Sequence, residues 1–330
     1  MAPITQYGSF TQQIANQINQ NINAAGVGFI NGNIIMLDPF AGVDTNDGIT
    51  APVNTLTRAY SIGREGKNDV IALIGNGLTT ATARVNSTFT WAKDALHLVG
   101  VSSGSRFSMR SRIAPGTSTT AFTPFFKITS AGCLFQNVEF FDGFATGTTA
   151  QINMQITGAR NVFVNCQISG MGDTTSAGDA GSRSLLISAG ENFFSHCVLG
   201  LDTIQRTALN ATVEFQSGAA RTCFEDCIFP ADLSTAAAGL IVLCASAATI
   251  DRITTFRRCT FYNVAAFSGG AAGTGAFKLV ASAGGALLVD PACVEYGYTD
   301  WGYDAASKLQ ILVSGPVPTS SSSGIAVVNT

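Results

Sequence analysis

The 330-residue chain carries 18 Lys+Arg and 21 Asp+Glu, a net charge of −3 and a pI of about 5.3, with 12% charged and 46% apolar residues. The apolar share is ordinary while the charge is about half the ~25% of a typical soluble domain, which excludes a disordered polyelectrolyte and a nucleic-acid binder built on a basic stripe. Apolar runs all fall short of the ~20 residues of a membrane-spanning helix, and Gly, Ala, Ser, Thr, Asn and Gln replace the missing charge.

Residues 1–35 form the first segment. Phe10, Ile14, Ile18 and Ile22 fall four apart in a Gln/Asn-rich stretch, and Met1 to Leu37 contains no charged residue. This spacing predicts an amphipathic helix whose polar face is made of amides. Such a helix suits attachment or oligomerisation, by bundling with copies of itself or docking on another protein; the alternative is packing on its own rod. The basic start of a secretion signal is missing from it.

The next segment reads Met36-Leu-Asp-Pro-Phe-Ala-Gly-Val-Asp-Thr-Asn-Asp-Gly48, then Ala51-Pro-Val-Asn-Thr-Leu-Thr-Arg-Ala-Tyr60, then Asn68-Asp-Val-Ile-Ala-Leu-Ile-Gly75. It resembles the opening of right-handed β-helix proteins of the pectate-lyase-like superfamily, with an Asp-rich turn, a Pro-x-x-Thr-Leu helix entry and an Asp-x-Ile first strand. The resemblance covers about residues 36 to 290. It implies a short helix, about Leu56 to Ile62 and capped by Asn54-Thr55, that closes the end of a coil stack. It also implies that an enzyme of this kind would use a calcium-binding carboxylate cluster with a catalytic Arg or Lys, or two or three close Asp residues. Neither pattern is found here, so the expectation is a non-enzymatic chain without a cofactor.

A repeat then organises residues 36–290. Phe, two mostly polar residues, Cys or Val, any residue and a large apolar one recur at Phe135 to Phe140, Phe163 to Ile168, Phe194 to Leu199, Phe224 to Phe229 and Phe256 to Phe261. The Val or Cys positions advance by 28, 31, 30 and 32 residues. Alternating apolar pairs run in step, at Ile71/Leu73, Leu96/Leu98, Phe126/Ile128, Met154/Ile156, Leu185/Ile187, Val213/Phe215, Ile241/Leu243 and Phe277/Leu279. Period-2 segments bounded by Gly, Ser and Asn read as strands. A unit of three short strands cannot bury its apolar face alone, so the units must stack. The fold expected is all-β: a right-handed, single-stranded parallel β-helix of about eight coils, with the capping helix near 55–63.

In such a stack equivalent positions lie above one another. Phe135, Phe163, Phe194, Phe224 and Phe256 then form one interior ladder, and Cys166, Cys197, Cys227 and Cys259 another. Cysteine behaves as a small buried hydrophobe, which favours free thiols over disulfides or a metal. The dipeptide between Phe and Cys suits a tight corner, where Asn, Asp and His tolerate the left-handed backbone; Arg258 fits that poorly. The residue before each Phe points outward, so Leu134, Val162, Phe193, Cys223 and Thr255 would make an apolar external strip, a candidate interface.

Asp142, Asp173, Asp202 and Asp232 follow the repeat at spacings of 31, 29 and 30 residues. They are weak candidates for a cation or glycan site, since Asp is also a common turn residue. Asp173, Asp179 and Arg183 read as a mostly solvated loop, and His97 and His196 as structural residues. The last segment, 291–330, holds a strand at Leu309-Gln-Ile-Leu-Val313, a Gly/Pro/Ser link, and Ile325-Ala-Val-Val328, which could add a final strand on this chain or on a neighbour.

A long β-helix with an uncharged attachment segment resembles bacteriophage virion proteins: tailspikes, fibres and head-decoration proteins, usually trimers. The chain is short for a tailspike. The expected function is therefore a capsid decoration or accessory protein, assembled in the host cytoplasm into the virion. Its partners would be itself as a homotrimer and the major capsid or other virion proteins, with no nucleic acid or membrane. The alternative is a tailspike-like or secreted protein that binds or depolymerises polysaccharide, such as a host surface glycan, through the side groove of the helix.

Overall fold

The computed structural model describes residues 32–76, 81–102, 106–244, 252–279, 285–303, 309–314 and 325–329. The amphipathic positions Phe10, Ile14, Ile18 and Ile22 lie outside these. Three sheets are formed: sheet A with eleven strands, sheets B and C with eight each. The chain visits A, B and C in turn and rises by one strand per circuit, so each strand pairs in parallel with the strand one circuit before and after. The result is a right-handed parallel β-helix of about seven turns. That is slightly fewer than eight, because eight strands in a flanking sheet enclose only seven steps.

The Phe repeat is the inner face of sheet A. Strands Leu134–Gln136, Val162–Val164, Phe193–Ser195, Cys223–Glu225 and Ile253–Arg257 pair so that Phe135, Phe163, Phe194, Phe224 and Phe256 stand in register. Their rings stack with centroids 4.5–4.9 Å apart and planes within 5–10°, and all five are buried. The ring spacing matches the ~4.8 Å between neighbouring strands, so identical residues in register stack without distorting the backbone.

Sheet C lines the interior with Met154/Ile156, Leu185/Ile187, Val213/Phe215 and Phe277/Leu279, as the alternation predicts. Two assignments differ. Ile71/Leu73 and Leu98 belong to sheet A, and the sheet C equivalents in the first turn are Phe89 and Trp91. In Leu240–Cys244 the register points Val242 and Cys244 inward, against Val213 and Phe215, and leaves Leu243 on an outer cluster. That strand is apolar at every position, so alternation carried no parity signal.

The amino-terminal end is closed by helix α1, Leu56–Ile62, whose N-cap Thr55 accepts a hydrogen bond from the Arg58 amide. The Asp-rich turn before it is held by its own carboxylates. Asp44 accepts from the Asn54 and Thr55 amides, and Asp47 from those of Ile49, Thr50 and Ala51. At the other end Leu309–Ser314 extends sheet A in parallel on Ala286–Val289. Ile325–Asn329 then pairs antiparallel with Leu309–Ser314, so the last strand adds to its own chain.

The corner between sheets A and B is left-handed in every repeat: φ is 56° at Asn137, 49° at Asn165, 56° at His196, 54° at Asp226 and 48° at Arg258. This turn aims each corner amide at the carbonyl one circuit on, from Asn137 to Val164, Asn165 to Ser195, His196 to Glu225 and Asp226 to Arg257. Arg258, a poor candidate by residue type, holds the position through ion pairs with Glu225 and Asp226.

Candidate functional site

The outward strip on sheet A lies where strand parity puts it. Leu134, Val162, Phe193, Cys223 and Thr255 are in register, Leu134 buried and the other four half-buried. Toward the amino-terminal end the strip joins Val70, Ala72 and Val99 in an apolar cluster separate from the interior core. At the corner that follows the strip in the fourth repeat, Arg106 donates to the Asp226 carbonyl at 2.5 Å.

The four aspartates do not share one environment. Asp142 is fully buried; one oxygen accepts from the Gly172 amide at 3.2 Å, and no protein donor reaches the other. Burial pushes its carboxyl well above the usual range, against the Gly172 bond, and the charge of nearby Asp173 adds to the rise. Asp173 caps the short helix α2, Thr174–Ala177, accepting from the Thr175 and Ser176 amides and the Ser176 hydroxyl. Asp202 skips the intervening turn and accepts from the Tyr262 hydroxyl at 2.8 Å. Asp232 accepts from Gln205 at 3.4 Å. Asp202 and Asp232 thus have partners of their own, away from the Asp142 carboxyl. Among the described residues no group of three or more His, Cys, Asp or Glu side chains converges as a metal site would require.

The loop containing Asp173, Asp179 and Arg183 is less solvated than its composition suggests. Arg183 is buried, donating through Nε to Glu214 at 2.5 Å and through Nη1 to two carbonyls. Asp179 is half-buried and bridges the Ala150 and Gly181 amides. His97 is buried in its strand, with Nδ1 accepting from the Leu134 amide at 3.0 Å; burial lowers its pKa to about 4. His196 stands at its corner, bonded to Ser195 and 3.8 Å from Asp226.

The cysteine ladder is a column of free thiols. Cys166, Cys197, Cys227 and Cys259 each direct Sγ at the carbonyl of the Phe one turn earlier, at 3.3–3.5 Å. Cys293 continues the column at 3.4 Å from the Phe256 carbonyl. Burial pushes the Cys166 and Cys227 thiols up, which keeps them protonated as donors.

Two surface features were not singled out by sequence reasoning. On the outer face of sheet B, Phe267 stacks on Tyr296 with centroids 4.1 Å apart, and Tyr262 stands at 73° to Phe267. Phe267 and Tyr296 are 59% and 48% exposed, forming an aromatic ledge beside the Asp202–Tyr262 pair. The 3₁₀ turn Val264–Ser268 that presents Phe267 is fixed by buried Asn263, which accepts from the Ala265 and Leu233 amides. The signal was the in-register pair Tyr262 and Tyr296; Phe267 sits outside the repeat. The second feature is the corner between sheets C and A, where Arg160, Glu191 and Arg221 form a bridged ion pair. Their spacings of 31 and 30 residues with alternating sign were readable in the sequence.

No family model matches the chain, and no curated protein does. Solved structures do. A pectate lyase, Pel9A, superposes with a TM-score of 0.52 at 14% identity, over 78% of this chain and 62% of its own; the chain thus spans about three fifths of that enzyme. A pectin methylesterase from Aspergillus niger gives 0.48 at 15% identity, over 90% and 92%. ORF18 of Geobacillus virus E2 gives 0.45 at 11% identity, over 92% and 63%. At 14% identity the likeness to the pectate lyase shows the fold alone, a right-handed parallel β-helix.

Proposed function

We propose that this chain is a non-enzymatic structural rod of a bacteriophage virion, a capsid decoration or accessory protein that assembles as a trimer through the outer face of sheet A. The observation that carries the reading is the continuous apolar strip there. A row of half-buried Val162, Phe193 and Cys223 in register with buried Leu134 is an outward apolar stretch of the kind that marks an interaction site. The aspartates support it as well: Asp173 is engaged in capping and Asp142 has no open side, so neither is displayed to a substrate. Light scattering on the full chain at micromolar concentration tests the assembly. Three times the 34.2 kDa protomer mass is expected, and Phe193→Glu should give monomers. A monomeric parent protein would overturn the trimer, and absence of the chain from purified particles would overturn the virion assignment.

A second reading is favoured by the aromatic ledge. Exposed rings beside a carboxylate suit the apolar face and hydroxyls of a sugar, so the side of the rod would hold a glycan. Binding to a host surface polysaccharide that is lost in Phe267→Ala supports this reading. Cleavage of that polysaccharide, abolished in Asp202→Asn, would make the protein an enzyme and end the non-enzymatic reading.

A further inference from the structure

The corner at which sheet C passes the chain to sheet A concentrates cations in a protein that is otherwise poor in charge. Arg160, Glu191 and Arg221 occupy the left-handed corner position of three successive turns, at φ 60°, 62° and 53°. Earlier turns place Asn68, Ala95 and Gly132 there, so the backbone does not call for arginine. The Glu191 carboxylate is held between two guanidinium groups, 2.7 Å from Nε of Arg160 and 3.0 Å from Nη1 of Arg221. Those bonds draw its carboxyl below the usual range, Arg160 first and Arg221 second. Arg252 lines the same groove, which encloses about 260 Å³ over the small residues Gly190 and Ala220.

Two guanidinium groups thus face one carboxylate, and a third lines the groove beside them. Each guanidinium has five N–H donors in a planar fork, and Arg160 and Arg221 are 73% and 59% exposed, so donors remain directed at solvent. The Glu191 contact demonstrates that an oxyanion fits between arginines of neighbouring turns. The planar fork matches the oxygens of phosphate and sulfate as it does a carboxylate.

We propose that this corner groove binds an oxyanion group, a phosphate or sulfate ester of a ligand lying along the rod, with Arg160, Arg221 and Arg252 as donors and Glu191 as the internal competitor that also orders the forks. The site borders the sheet A strip, since Val162, Phe193 and Cys223 each follow it by two residues, and it lies on a different side of the rod from the aromatic ledge of sheet B.

The test titrates inorganic phosphate, and inorganic sulfate in a second arm, into the full chain at low ionic strength while the arginine Nε–H resonances are followed. Saturable shifts at Arg160, Arg221 and Arg252 are expected with at least one of the two anions. Arg221→Gln should weaken binding about tenfold, the loss of one charge-assisted hydrogen bond. Glu191→Gln should tighten it, because the competing carboxylate is gone; a merely structural role for the ion pair would not give that sign. Lys127→Gln removes the same charge elsewhere and should leave binding unchanged. Absence of saturable shifts with both anions overturns the proposal, as does Glu191→Gln failing to tighten binding or Lys127→Gln weakening it as much as Arg221→Gln.

Discussion

Phe194 and His196 are two residues apart, yet the columns they belong to are composed differently. The inner column repeats one residue, Phe135 through Phe256, with each ring face to face with its copy. The corner column varies along the rod: Asn137 and Asn165, then His196, Asp226 and Arg258. Asn165 donates to Asn137 at 2.8 Å, and Arg258 donates to Asp226 at 2.9 Å. The opposite corner alternates too, Arg160, Glu191, Arg221. Stacking at strand spacing lets an apolar side chain repeat without limit, since dispersion between copies is attractive. A repeated charge would face its own copy at close range. At these two corners the charges of neighbouring turns therefore meet with opposite sign.

That contrast can be broken from either side. The largest effect is expected in the inner column. Phe194→Ala leaves a ring-sized void between two stacked neighbours and should cost about 3–5 kcal/mol, read from denaturant unfolding; a loss under about 1 kcal/mol would mean the stack relaxes to fill it. Next comes the buried pair of neighbouring turns, Arg183 and Glu214. Arg183→Met strands a buried carboxylate and should cost about 3 kcal/mol, whereas Arg183→Met with Glu214→Leu should recover most of it. If the double variant is no better than the single one, the pair is not the cause.

Acid supplies the third test. His97 must stay neutral to accept from Leu134, and burial holds its folded pKa at about 4 against 6.5 unfolded, with Asp69 opposing the fall. Between those values the unfolded state binds more protons. The contribution is complete above 6.5 and is lost as pH falls through the window, by about 2–3 kcal/mol. His97→Asn should flatten that limb of the stability–pH curve. Glu295 slopes the other way: burial raises its carboxyl from 4.5 to about 8, so stability falls as pH rises between these values, and Glu295→Gln should remove the slope. The smallest effect belongs to the exposed corner. Arg258→Glu places like charges against Glu225 and Asp226 and should lower the melting temperature in low salt, with the difference shrinking as salt is added.

The legible part of the molecule is the part that repeats. The five Phe positions, the four Cys positions, the outward parity of Leu134, Val162 and Phe193, and the capping helix all follow from period and spacing. Leu240–Cys244 was misassigned because an all-apolar strand has no alternation. Ile71/Leu73 and Leu98 keep the spacing of the later pairs yet lie in sheet A, a change of sheet that spacing alone does not reveal. The aromatic ledge was missed because Phe267 comes from a loop of irregular length. The aspartate series shows the reverse error: regular spacing suggested a common edge, while one carboxylate caps a helix, one pairs with a tyrosine two turns away and one is sealed inside.

Low charge at ordinary hydrophobicity is where the sequence was most informative. Together with a 28–32 residue repeat it determined a stacked β-helix with an aromatic and thiol interior, because units that cannot bury their apolar faces alone bury them by stacking. Only the tertiary structure decided which charges meet, that Arg258 can occupy a left-handed corner, that Ile325–Asn329 closes on its own chain, and that three arginines share one groove. Those outcomes depend on register across turns and on loops of unequal length, and a period read along the chain does not contain either.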